Sequence, residues 1–291
     1  MKMIKLHTIL SALVLAFLML NAGCRKEKSN LAIAVRTGSD NAEAETEMNA
    51  LFLSANDFAA AYQSNNTNKV LPSGVNITIT DSNFNTNNGI AFIIDFGPLK
   101  TAVPHGMLCQ DGRYRAGKVY GTLTKPYREI GAVLTLTLSD SGMYYGGNGS
   151  DMFGVVGTKS ITRETETRLR VIVSDVKIKD AEGKIITWSC NRTVTKIKEA
   201  GIGILGDIYS IAGSGNGTNK NGEKYTVQIT KDLIKNISPG CASTFVDGMI
   251  DIENTDKNAK MTLDFNPYND AACDRVAKVT IGKTEKIFYI K

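Results

Sequence analysis

Few residues in this sequence could act as a nucleophile with a general base. Past residue 24 the chain holds one histidine, His105, and Cys109 lies four residues after it. A cysteine beside a histidine is the minimum for an activated thiol nucleophile. Both residues lie in a segment rich in proline and glycine, where this spacing does not by itself bring side chains together, and Cys109 could equally form a disulfide. We therefore predict no catalytic residues here.

Paired carboxylates are a second source of chemistry, because glycoside hydrolysis needs two acids held about 5 to 10 Å apart across a cleft. Many aspartates lie at or near predicted strand positions, so some pair will meet that distance by chance. We keep a polysaccharide hydrolase as the alternative function. The aspartates concerned are Asp81, Asp95, Asp140, Asp175, Asp207, Asp251 and Asp264.

Two further site types find little support. The motif G-x-G-x-x-G at residues 201–206 would suit a pyrophosphate only between a strand and a following helix, and here a strand is predicted to follow. We interpret it as a loop between strands. The sequence has no C-x-x-C pair and no acidic calcium loop, so neither a metal nor a cofactor is expected.

The best indication of ligand binding is a small set of aromatic residues. Tyr144 and Tyr145 precede the glycine-rich segment 146–149, which is predicted to be a loop, and Trp188 stands alone in a predicted strand. Sugars are often held by aromatic faces, and tyrosine adds a polar tip. We predict these three as candidate glycan-binding residues, with packing on the sheet as the alternative.

The elements that must position these residues are mostly strands. Apolar and polar residues alternate over 75–80, 131–138 and 260–265, and Asn-Gly or Asp-Gly turn signals separate many of the runs. No segment after residue 69 is convincingly helical, so the sheet must be mostly antiparallel. We predict an all-β domain over 69–291, an antiparallel meander that forms a sandwich or one wide twisted sheet. The other predicted strands are 90–96, 117–124, 152–162, 168–179, 184–196, 206–218, 223–231, 244–253, 275–282 and 285–290.

One helix is predicted ahead of the sheet, followed by a polar linker, within residues 40–68. Apolar residues recur at spacings of three and four from Met48 to Tyr62, and Asp40 with Glu43 forms a candidate cap. The polar face of this helix is acidic, which suits an anionic membrane surface badly. We expect it to pack against the sheet.

The first 23 residues have the organisation of an export signal. Basic residues come first, an apolar run extends from Ile9 to Leu20, and small residues precede Cys24. Ala22-Gly23-Cys24 resembles the lipobox of bacterial lipoproteins, although Asn21 stands where an aliphatic residue is usual. This resemblance implies cleavage before Cys24 and acylation of its sulfur, with residues 24–39 as a tether. The alternative is an ordinary thiol beside a signal cleavage site.

The residue after the cysteine bears on location. Arg25 stands there instead of the Asp that retains many lipoproteins in the inner membrane. We therefore predict attachment to the outer membrane. These residues do not decide whether the domain faces the periplasm or the cell exterior.

Charge and cysteine content restrict the partners and the compartment. The net charge is +5 and the basic residues are spread along the chain, which argues against nucleic acid as a partner.

Cys241 and Cys273 are expected to form a disulfide, because both lie at element edges in the C-terminal third. Cys109 and Cys190 are then either paired with each other or free.

Several stretches resemble a group of Cys-anchored lipoproteins of unknown activity that are common in Bacteroidota. The resemblance covers about two thirds of the chain, from Asp95 to the C-terminus. It implies an all-β fold and an envelope location and carries no catalytic residues. We expect a non-enzymatic protein with a binding or structural role, whose partners are the membrane, through the anchor, and a glycan or envelope protein. The resembling stretches are 95–97, 109–118, 157–159, Trp188, 209–213, 217–222, 240–241 and 273–280.

Overall fold

The computed structural model describes residues 31–51, 75–81, 89–109, 111–200, 206–238, 240–241 and 244–290. The signal sequence, Cys24, the second half of the predicted helix and residues 201–205 of the glycine motif lie outside these ranges. Within them the chain forms one helix and sixteen strands in a single open sheet. The prediction of an all-β domain with one N-terminal helix is confirmed.

Helix α1 covers residues 31–51. The strands are β1 Asn76–Asp81, β2 Ile90–Asp95, β3 Met107–Leu108, β4 Tyr114–Ala116, β5 Lys118–Leu123, β6 Val133–Leu138, β7 Tyr145–Gly147, β8 Met152–Arg163, β9 Arg168–Lys179, β10 Ile185–Lys198, β11 Ile208–Thr218, β12 Lys224–Asn236, β13 Asp247–Asn254, β14 Ala259–Asp264, β15 Val276–Ile281 and β16 Thr284–Tyr289.

The strands follow one another as an antiparallel meander. The main path runs β1-β2-β5-β6-β8 and then in chain order to β16, while the short strands β3, β4 and β7 form a branch that joins β8. Of the two predicted forms, the structure has the wide sheet and not the sandwich. Each strand on the main path corresponds to a predicted run, whereas β3, β4 and β7 have only two or three residues, too few to show alternation.

Alternation gives the sheet an apolar inner face and a polar outer face. In β6 the leucines Leu134, Leu136 and Leu138 are buried, and the threonines between them face outward. The long strands β8 to β12 carry the same pattern over 11 to 14 residues each. Their inner faces and α1 share one continuous core.

Helix α1 is enclosed by this sheet. Glu43, Glu45 and Glu47 are all at most 3% exposed. Successive helix residues rotate by about 100°, so Glu45 points away from the side shared by Glu43 and Glu47. Because opposite sides of the helix are buried, the sheet must curl around it.

The structure differs from two predictions about this helix. Residues 31–39, which the sequence assigned to a tether, are helical, and Asp40 lies inside the helix and not at its cap. This first part is in contact with the sheet. Gly38 lies near the side chains of Leu263 and Val279, and the buried Thr37 accepts hydrogen bonds from the side chains of Asn219 and Asn254.

The four cysteines that the structure describes form one disulfide and two buried thiols. Cys241 and Cys273 form a disulfide with a Cα–Cα distance of 4.8 Å, as predicted. Cys109 and Cys190 are free and buried. Burial raises the pKa of the Cys109 thiol, and it raises the pKa of Cys190 to about 12, so both thiols stay protonated at neutral pH.

Along the described residues, no helix combines the length and the apolarity needed to cross a membrane.

Candidate functional site

The predicted aromatic site is part of the core. Tyr144 and Trp188 are each 2% exposed, and the Trp188 indole donates a hydrogen bond to Asn41 Oδ1 of α1 at 3.2 Å. Tyr144 packs edge-on against Phe96, with ring centroids 6.1 Å apart. Tyr145 is half-buried in β7. Trp188 therefore links the sheet to α1, and neither Trp188 nor Tyr144 presents an exposed face to a sugar ring.

The glycine that follows the tyrosines has a packing role. Gly146 faces α1, and a Cβ atom at this position would overlap the carboxylate of Glu47. Glu47 forms a buried ion pair with Arg113. Gly146 therefore lies on the inner face of β7, and its lack of a side chain leaves room for Glu47 of α1.

His105 and Cys109 are engaged separately. His105 Nδ1 lies 3.0 Å from the carbonyl oxygen of Lys100, and the Cys109 thiol donates to the carbonyl oxygen of Met107 at 3.7 Å. With the pKa of its thiol raised by burial, Cys109 lacks the thiolate character that a nucleophile needs.

The buried carboxylate Asp207 is also fully engaged. It accepts hydrogen bonds from the Ala200 backbone amide at 2.9 Å and the Tyr209 hydroxyl at 3.1 Å, and it pairs with Lys196 Nζ at 3.1 Å. Within the ranges given above, no three His, Cys, Asp or Glu residues are grouped so that they could hold a metal ion.

The candidate site lies on the outer face of the sheet, across β11 to β15. A groove of about 620 Å³ opens there to solvent, and we call it the outer groove. Sequence reasoning singled out two of its residues, Asp251 and Glu253, as acids that could act in glycoside hydrolysis or bind calcium. The outward side chains that line it are Ser214 and Asn216 of β11, Thr226 and Gln228 of β12, Asp251 and Glu253 of β13, Lys260 and Thr262 of β14, and Thr280 of β15.

Strand register arranges these side chains in two rows across the strands. One row runs Ser214, Gln228, Asp251, Thr262 and Thr280, each directly paired with the next. At about 4.8 Å between neighbouring strands, this row is roughly 19 Å long.

The second row lies two residues along the strands. It runs Asn216, Thr226, Glu253 and Lys260, again each paired directly with the next. The two rows together form a strip of amides, hydroxyls and carboxylates that crosses the strands.

Much of the hydrogen-bonding capacity of the outer groove is unused. The side chains of Ser214, Asn216 and Thr226 form no hydrogen bond with any described residue. Gln228 donates to the carbonyl oxygens of Gly213 and Ile229, at 3.3 and 3.1 Å, which leaves its own carbonyl oxygen as a free acceptor. A ligand with both donors and acceptors could pair with all of these groups.

The two acids of the outer groove have neighbours within it. Asp251 accepts a hydrogen bond from Thr262 Oγ1 at 2.8 Å, and Glu253 Oε2 lies 3.4 Å from Lys260 Nζ. Both carboxylates are open to solvent.

No protein-family model, curated protein or solved structure matches this chain. The functional argument therefore depends on the geometry of the outer groove.

Proposed function

We propose that this protein is a lipid-anchored component of the cell envelope, attached to the outer membrane through Cys24, whose outer groove binds a neutral glycan without cleaving it. The observation that carries the proposal is the double row of amide, hydroxyl and carboxylate side chains across β11 to β15.

The chemistry of the rows suits a sugar polymer. Each sugar hydroxyl donates and accepts, and the groove offers hydroxyls, amides and carboxylate oxygens at the spacing of the strands. Its charged groups are two acids, Asp251 and Glu253, and one base, Lys260. With so little net charge the groove favours a neutral ligand over a polyanion or a polycation.

The engagement of the two acids supports binding over hydrolysis. The general acid of a glycosidase is kept protonated by an apolar pocket or by a second acid close to it. Glu253 instead lies beside a lysine and Asp251 accepts from a threonine, both on an open surface.

The disulfide supports export to the envelope. Disulfides persist in oxidising compartments outside the cytoplasm, and Cys241 is bonded to Cys273. Export agrees with the signal-like residues 1–23 and with the lipobox-like sequence that ends at Cys24.

A glycan array tests the binding proposal. The mature chain with Cys24→Ala is probed beside Asn216→Ala/Gln228→Ala, which removes one amide from each row. Thr122→Ala/Thr135→Ala is the matched control, because these threonines form a directly paired couple on β5 and β6, away from the groove. We expect saturable binding by the parent and the control, and at least a tenfold loss in the amide variant.

Two results would contradict the binding proposal. Either no neutral glycan binds, or binding persists unchanged in the amide variant. Release of shortened sugars from a bound glycan would instead favour the hydrolase, and Asp251→Asn and Glu253→Gln would then show which acid is needed.

A separate test addresses the anchor. Cells that express the full chain are fed an alkyne-bearing fatty acid, and the protein is examined for label in the membrane fraction. We expect label on the parent chain and none on Cys24→Ala. Equal labelling of both chains would exclude acylation at Cys24.

A further inference from the structure

An enclosed cavity lies between the C-terminal half of α1 and the inner faces of β8 to β12. Its free volume is about 30 Å³, which is room for about two water molecules. Val171, Val173 and Ile211 form apolar parts of its wall. Among the polar residues that also line it are the bases Arg192 and Lys235.

Arg192 brings two unused donors to this cavity. Its Nη2 atom donates to Glu45, but its Nε and Nη1 atoms are buried with no acceptor. The guanidinium is 3% exposed, so bulk solvent does not supply the missing acceptors. A buried donor without an acceptor is costly, and this is more so for a charged one.

Lys235 is a second cationic group at this cavity. Its side chain lines the same cavity and the residue is 5% exposed. Among the described residues its ammonium has no carboxylate or carbonyl partner, and its one recorded contact is with the Phe245 ring, whose centroid is 5.3 Å away. Two other bases that face α1, the half-buried Lys220 and the buried Arg115, have acceptors at hydrogen-bonding distance.

The cavity therefore has free space, the Lys235 ammonium and two Arg192 donor atoms without an acceptor, while the Glu45 carboxylate in its wall is paired with the third, Arg192 Nη2. We propose that it binds one small monovalent inorganic anion of the chloride class, held by Arg192 Nε and Nη1 and by the Lys235 ammonium. The volume excludes larger anions such as sulfate. Apolar walls suit a weakly hydrated, spherical ion.

The anion would link the helix to the sheet. Arg192 already binds Glu45 of α1, and Lys235 lies on β12, so a shared anion joins the helix–sheet ion pair to a second strand. This role does not depend on the outer groove or on glycan binding.

Proton binding should be coupled to anion binding. The pKa of Lys235 is lowered to about 7, mainly by burial; Asp111 and Glu45 act to raise it, and Arg113 and Lys159 act to lower it. The cavity groups Cys190 and Tyr209 have pKa values raised by burial, so both are neutral near pH 7. Anion binding requires the charged ammonium and should weaken as pH rises above 7.

Thermal unfolding of the full chain tests the proposal directly. Chloride replaces gluconate at constant ionic strength at pH 6, and an ion that binds only the folded chain raises Tm by mass action. We expect a saturable rise that is smaller at pH 8.5 and that sulfate does not reproduce. Lys235→Met should abolish it. Lys231→Met is the matched control, because Lys231 lies on the same strand but is exposed and pairs with Asp247.

The proposal is overturned if chloride leaves the parent Tm unchanged, or if Lys235→Met keeps the full response. A crystal of the parent chain grown in bromide gives a second readout that does not need the variant to fold. An anomalous peak beside Arg192 and Lys235 supports the site, and a cavity without such a peak overturns it.

Discussion

Glu45 of α1 and Arg192 of β10 form an ion pair in which each side chain is 3% exposed, although the two residues are 147 positions apart. On the other side of the helix, Glu43 pairs with Lys220 at 3.0 Å and Glu47 pairs with Arg113. Each of these three acids is thus paired with a base from a different segment of the chain. We infer that these pairs set the register of α1 inside the sheet.

Breaking the Glu45–Arg192 pair should be strongly destabilising. Glu45→Ala leaves the Arg192 guanidinium buried without its carboxylate, so we expect the free energy of unfolding to fall by about 3 to 5 kcal/mol. In Glu45→Leu/Arg192→Met both charges are replaced by apolar groups, and most of this loss should be recovered. Denaturant unfolding measures both effects. A loss below about 1 kcal/mol for Glu45→Ala would show that the pair contributes little.

The extent of α1 could not be predicted from the sequence, although its existence could. Apolar spacing after Met48 indicates a helix, but nothing local indicates that Glu43, Glu45 and Glu47 are buried. Acidic residues are almost never buried unless they are paired, and their partners here lie more than 60 residues away. Asp40 followed by Glu43 also matches a capping pattern, which placed the start of the helix too late.

Removal of the first helical turns should therefore damage the fold. A chain that begins at residue 40 loses Thr37, whose Oγ1 accepts from Asn219 and Asn254. Each amide keeps its bond to Glu223 but loses its second acceptor, and a buried donor left unpaired costs about 1 to 3 kcal/mol. We expect this chain to unfold at a lower temperature than one that begins at residue 25. Equal thermal stability of the two chains would show that residues 31–39 are dispensable.

A point variant gives a finer test of the same contact. Thr37→Val keeps the shape of the side chain but removes the acceptor, whereas Ser39→Ala changes a half-buried neighbour with no recorded hydrogen bond. Only Thr37→Val should lower the denaturant midpoint. Equal effects of the two substitutions would mean that the hydroxyl of Thr37 is not the important group.

Gly146 should tolerate no side chain. A Cβ at Gly146 would displace the Glu47 carboxylate from its buried pairing with Arg113, so we expect Gly146→Ala to cost at least about 2 kcal/mol. The control is Gly154→Ala on β8, where a Cβ would meet only the Tyr145 ring at 3.4 Å. Differential scanning calorimetry compares the two. A Gly146→Ala variant as stable as Gly154→Ala would contradict the packing argument.

Stability should rise with pH just above neutrality. Burial lowers the pKa of Lys235 to about 7 and that of Lys159 to about 8 in the folded chain, while an unfolded lysine titrates near pH 10.4. From pH 7 to 8.5 the unfolded chain therefore holds more protons, and the free energy of unfolding rises with pH. The slope for one such lysine is at most about 1.4 kcal/mol per pH unit.

Low-chloride denaturant titrations at pH 7.0 to 8.5 test this slope. Lys235→Met should flatten it, and the exposed Lys231→Met should not. A parent chain whose stability stays level over this range would show that the two lysines keep their protons in the folded state.

Most strands could be predicted from the sequence, but the candidate site could not. Alternation identifies which residues of one strand share a face, so Thr226 and Gln228 can be placed together. That Gln228 lies opposite both Ser214 and Asp251 depends on register across three strands. Tyr144 and Trp188 show the converse. An aromatic residue beside a glycine-rich segment, or alone in a strand, resembles a ligand-binding residue, and only the structure shows that both side chains are buried in the core.

The outer groove is tested most directly by NMR of threonine methyl groups during titration with the strongest glycan from the array. Thr226, Thr262 and Thr280 lie in the groove, and Thr122 and Thr135 lie outside it. We predict saturable shifts of the three groove methyls, with the other two unchanged. Shifts confined to other parts of the protein would contradict the assignment of the outer groove as the glycan-binding site.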